Sequence, residues 1–128
     1  MYQEGGSCIG SGTQDPCHRA VAVLMNAAGK ETGIFASVSD GRDERGKSFE
    51  IITDVIPYPK VNDGHHLDWG SCRYDGVEDG AVVAVVKHSK QPWLRAVGWA
   101  YRVETVSGKF IKLDPKRVDC HNTALEAD

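Results

Sequence analysis

No apolar run in this chain is long enough to cross a bilayer as a helix. The longest, "GAVVAVV" from Gly80 to Val86, is seven residues, against the roughly 20 that a spanning helix needs. Basic surplus is absent too. Net charge is -3 and the sequence pI is near 5.9, so nucleic acid is not an expected partner. "MYQEGGS" lacks the basic start and apolar centre of a secretory signal. No "GxxxxGK", "GxSxG" or "HExxH" occurs, so the phosphate-loop, serine-hydrolase and zinc-protease signatures are missing. Disorder is not expected either, because 41% of residues are hydrophobic and 26% charged.

Glycine and cysteine are what the chain does have. The 14 glycines favour tight turns over long helices. The four cysteines sit in polar or turn-like settings, "GSCIG", "DPCHR", "GSCRY" and "VDCHN". Free buried thiols favour apolar runs, whereas an even count in loop contexts fits a disulfide framework. Cys8, Cys17, Cys72 and Cys120 are therefore the disulfide candidates. Sequence alone cannot choose among the three pairings. One arrangement, Cys17 with Cys120 and Cys8 with Cys72, ties the start of the fold to its end. Paired cysteines imply a periplasmic or secreted protein, unpaired ones a cytoplasmic protein.

A length of 128 residues fits a single domain over 1–128: a loose Gly-rich lead over 1–15, a folded core over 16–120 and a frayed tail over 121–128. "CHRAVAVLMNAAG" reads two ways. Asp15-Pro16 starts a helix well, but Val21, Val23 and Met25 also alternate as a strand, with "NAAGKETG" as the hairpin loop. "SFEIITDVIPYP" alternates, placing Phe49, Ile51 and Val55 on the half-buried face of a strand that Pro57 and Pro59 end. One short strand is expected within Leu67 to Tyr74.

The last third is clearer. "AVVAVVKH" is apolar on both faces and belongs in the middle of a sheet. "WLRAVGWAYRVET" alternates, with Trp93, Arg95, Val97, Trp99, Tyr101 and Val103 on one face and the small Gly98 and Ala100 on the other. "KFIKLD" returns after "VSG", and "KRVDC" adds a short edge strand. Val83, Val85, Val97 and Ile111 are the expected core. The fold class is mainly β: an antiparallel meander forming a small barrel or two-layer sheet. An N-terminal helix, hence α+β, is the alternative.

Several groups carry side chains capable of chemistry. Cys17-His18, Cys120-His121 and His65-His66 suggest metal or a thiolate pair. Adjacent residues on a strand point to opposite faces, however, and serve one ion poorly. Asp75, Glu78 and Asp79, like Asp40, Asp43 and Glu44, lack the ligand spacing of a calcium loop. No catalytic residue, metal or cofactor is assigned. The binding candidates are Lys87, His88, Lys90, Trp93 and Arg95, a basic and aromatic hairpin end.

"CHRAVAVLMNAAGKETGIFASVSD" resembles a hairpin of the proteobacterial periplasmic lysozyme inhibitors, over less than a fifth of the chain. Cys8 and Cys17 would bound the loop, and "TGIF" from Thr32 to Phe35 would be the return strand. The loop here is longer and lacks the histidine of that family's inhibitory loop. The expected function is a bacterial-type binding module engaging a protein partner or small ligand, with self-association as a further state. A periplasmic enzyme inhibitor is one alternative. A small enzyme with a pocket holding His65 or His66 and a carboxylate is the other.

Overall fold

The computed structural model describes residues 2–9, 19–42 and 48–126. The chain is mainly β, with every strand pairing antiparallel. The described strands form two open sheets, and no pairing among them closes a barrel. No described helix is long and apolar enough to cross a membrane. The chain divides into two compact units, Met1–Tyr58 with Val103–Phe110, and Pro59–Arg102 with Ile111–Asp128.

The first unit holds a four-stranded sheet in chain order: β1 (Tyr2–Ile9), β2 (Arg19–Met25), β3 (Glu31–Arg42) and β4 (Ser48–Pro57). The ambiguous segment is thus a strand from Arg19 onward, and residues 2–9, read as loose lead, form β1. Asn26 decides the β2–β3 hairpin. Its Oδ1 accepts from the N–H groups of Ala28 (2.9 Å) and Lys30 (3.1 Å), closing the turn in which Gly29 takes φ +80°. Val21, Ala22, Val23, Ile34, Phe35 and Ala36 are all buried.

β4 departs from the sequence reading. Ile51 and Val55, expected half-buried, are 47% and 49% exposed; the side chain of Phe49 lies outside the described residues. The strand also carries a bulge. Ala36 pairs with Asp54 but Ser37 with Ile52, leaving Thr53 as an extra residue that breaks the period of two. The polar pair Thr53 and Asp54 then takes up contacts with the 104–110 segment. The Thr53 hydroxyl donates to Gly108 O (2.7 Å), and Asp54 Oδ2 accepts from Phe110 N (2.9 Å). Gly108 is required there: its φ is +73°, and a Cβ would stand 2.6 Å from Thr53 Cβ. Glu104 closes this turn by accepting from the N–H groups of Val106 and Ser107, and the Ser107 interaction leads in holding its carboxyl below the ordinary range.

The second sheet comprises β5 (His65–Trp69), β6 (Cys72–Tyr74), β7 (Val77–Glu78), β8 (Val82–Lys87), β9 (Trp93–Val103), β10 (Phe110–Lys112) and β11 (Val118–His121). The spatial order is β5-β8-β9-β11-β6-β7, with β10 also on β9. β8 lies inside the sheet, and Ala81 to Val86 are all buried. On one face, Val82, Ala84, Val86, Leu94, Ala96, Ala100, Leu113 and Val118 pack with Cys72 and Cys120. The small residues of β9 are therefore sheet interior. Gly98, at φ +74°, sits in a second bulge, where Ala84 pairs with Ala100 but Val86 with Ala96. Val83 and Val85 are buried as expected; Val97 (45% exposed), next to that bulge, and Ile111 (40%) are not.

The segment Leu67 to Tyr74 yields parts of two strands, β5 and β6, on opposite sides of β8 in the sheet order. "KRVDC" is no edge: a 3-10 turn over Pro115–Arg117 leads into β11, which lies between β9 and β6. That insertion sets Cys120 opposite Cys72, and the two form a disulfide. His121 N donates to Ser71 O, so the adjacent Cys120–Cys72 pair is the closer, non-hydrogen-bonded kind. This replaces the Cys17–Cys120 and Cys8–Cys72 arrangement. Cys17 lies outside the described residues.

Ordered structure continues past residue 121. Asn122 is 4% exposed, and its Nδ2 donates to Ser89 O (3.0 Å) and Gln91 O (2.9 Å) while its backbone N–H donates to Pro92 O (2.9 Å). It clamps the β8–β9 connection. Asn122→Ala removes two side-chain hydrogen bonds made from a buried position, so stability should fall by about 2 kcal/mol. Urea unfolding checks this through the midpoint; an unchanged midpoint would show the clamp to be redundant.

Candidate ligand-binding face of the second sheet

Opposed residues of antiparallel strands share a face. With Leu94, Cys120 and Cys72 turned to the core, the residues on either side of them turn outward. The outer face therefore carries two rows across β9, β11 and β6. Trp93 and His121 form the first, with Ser71 beside His121. Arg95, Asp119 and Arg73 form the second.

Arg73 links the rows. Its Nε and Nη2 donate to Asp119 Oδ1 (2.8 Å) and Oδ2 (2.7 Å), a bidentate fork. The Asp119 hydrogen bond is the main cause raising the Arg73 pKa above its ordinary value. The same guanidinium lies 3.6 Å from the centroid of the Trp93 ring, and His121 stacks at 5.3 Å. Glu78 pairs with Arg73 across β6 and β7.

Beside the first row is a cavity of about 390 Å³ lined by Ser71, Cys72, Glu78, Asp79, Trp93 and His121, among others. Asp79 is partly engaged: Oδ1 accepts from Ala81 N (3.0 Å), and Oδ2 lies 3.5 Å from Arg102. Beyond the second row is another cavity, of about 280 Å³, bordered by Arg95, Lys116, Arg117, Asp75 and Asp119.

The five candidate binding residues divide between two neighbourhoods. Lys87 and His88 stand beside β5: Lys87 pairs with His65, and the His88 ring lies 4.9 Å from that of His66. Lys90 is exposed in the connection that follows. Trp93 and Arg95 stand beside β11, each at the edge of one cavity. His65 and His66 line neither cavity. No group of three or more His, Cys, Asp or Glu among the described residues is placed to hold a metal ion.

Ser71, Arg73 and Asp119 escaped sequence reasoning. Ser71 lies beside His121, and Asp119 lies between Arg73 and Arg95, only because β11 runs between β9 and β6. The chain matches no family model, no curated protein and no solved structure.

Proposed function

We propose that the chain is a binding module whose site is the cavity beside Trp93, and that it takes a small cationic group, an amine or guanidinium. The carrying observation is the cavity's composition, in which the Trp93 indole meets the carboxylates of Glu78 and Asp79. Small-ligand cavities run from roughly 300 to 1,000 Å³, and this one falls within that range at about 390 Å³. An indole face attracts cations through its quadrupole, and Arg73 already exploits that on Trp93. Glu78 is exposed on the two-residue strand β7, so its charge is available to a ligand. Ser71 and His121 offer polar contacts that would fix orientation. The Cys72–Cys120 bond ties the two strands that carry them.

Isothermal titration with L-arginine amide tests the reading. Binding should be saturable, and Glu78→Gln, an exposed change that leaves the fold intact, should weaken it by roughly threefold to tenfold. Acetate should give no heat from this site. No saturable heat with the cation, or equal affinity for acetate, would refute the reading.

A further inference from the structure

The second cavity goes beyond that reading, because its charge has the opposite sign. Its two carboxylates are both taken. Asp119 gives both oxygens to Arg73. Asp75 is held by Arg117, through Nε to Oδ1 at 2.8 Å and through a second contact from Nη2 to Oδ2. That fork holds the Asp75 carboxyl below its ordinary range and raises Arg117. Tyr74 supports Arg117 from beneath, with the guanidinium 4.5 Å from its ring centroid.

What remains at the cavity wall is positive. Arg95 is exposed, stands directly opposite Asp119, and forms no ion pair with a described residue. Lys116 is exposed on the 3-10 turn, and only its backbone N–H is engaged, by Asp114. Gly76, at φ +78°, leaves open space where a side chain would stand, so the cavity stays accessible on that side. A guanidinium fork and an exposed ammonium bordering one cavity are the pair of donors that suits a tetrahedral oxyanion: the fork takes two oxygens, the ammonium a third.

We propose that this cavity is a binding site for a phosphate-type oxyanion, held by Arg95 and Lys116 and bordered by the Arg117–Asp75 pair. Arg117 keeps its partner and adds field rather than a direct bond. Acidic neighbours do not forbid the anion, because each is neutralised by its own arginine before the anion arrives. The site is open to solvent, so its affinity is modest and salt-sensitive.

The test is a ¹H–¹⁵N NMR titration of the full chain with inorganic phosphate, chloride making up the ionic strength. Saturable shifts should gather at Gly76, Arg95 and Lys116 to Asp119. Arg95→Gln should weaken binding by about tenfold, the loss of one bidentate charge-assisted contact, and Lys116→Gln by several-fold. Lys30→Gln, at an exposed lysine of the β2–β3 turn, should change nothing. Neither Arg95 nor Lys116 supports the core, so both variants should melt like the parent. Shifts that rise linearly and spread to Lys30, or phosphate binding retained in Arg95→Gln, would overturn the proposal. Phosphate binding does not depend on the amine site: L-arginine amide and phosphate report on different cavities, so either reading can fail while the other stands.

Discussion

Val86→Asp should abolish cooperative folding of the second unit. Val86 has no exposed surface and belongs to the cluster that also holds Leu94, Ala96, Ala100 and Leu113. No cation among those neighbours can pair with a carboxylate placed there. An unpaired buried charge costs several kcal/mol, about 4 or more, against a total stability of about 5–15 kcal/mol for a domain. The result to look for is loss of the thermal transition, or a soluble fraction too small to melt. Val77→Asp is the matched control: Val77 is 69% exposed at the β6–β7 tip, and a surface change there should cost within about 0.5 kcal/mol. A Val86→Asp protein that melts like the parent would mean that β8 is not the interior strand.

Removing the disulfide should have the next largest effect. Cys72 and Cys120 are 48 residues apart, and a cross-link closing a loop of that size contributes about 4 kcal/mol by restricting the unfolded chain. The paired Cys72→Ser, Cys120→Ser variant should therefore melt about 10–20 °C lower. The effect reaches the outer face of the sheet, since the bond joins the strands bearing Ser71, Arg73, Asp119 and His121. Thiol titration of unreduced, denatured protein gives the direct check. Reactive Cys72 and Cys120 thiols, with melting unchanged by reductant, would contradict the cross-link.

The two sheets were unequally legible. β8 and β9 could be read because an apolar run and a long alternation are separated by "SKQP", and β10 because "VSG" turns the chain straight back. These are local signals between neighbours in sequence. β11 could not be read the same way. Its four residues pair with Cys72 to Tyr74 and with Trp93 to Arg95, both distant in the chain, and no local pattern encodes such partners. The disulfide pairing and both outer rows follow from β11 and were hidden with it. Trp93 and Arg95 stand out on residue type alone, whereas Arg73, which lies over Trp93 and forks onto Asp119, does not. The faces of β4 were harder to read than its extent: Ile51 and Val55 alternate like a half-buried face yet both are exposed, in a strand whose period of two is broken by a bulge at Thr53.

A cationic ligand seated beside Trp93 is directly observable by NMR. The chain has three tryptophans, whose indole N–H resonances separate in a ¹H–¹⁵N spectrum, and only Trp93 lines the cavity. Titration with L-arginine amide should move the Trp93 indole resonance saturably, leave those of Trp69 and Trp99 in place, and need roughly threefold to tenfold more ligand to saturate in Glu78→Gln. A Trp93 resonance that stays still in folded protein, or three indoles that drift together in proportion to added ligand, would contradict the account.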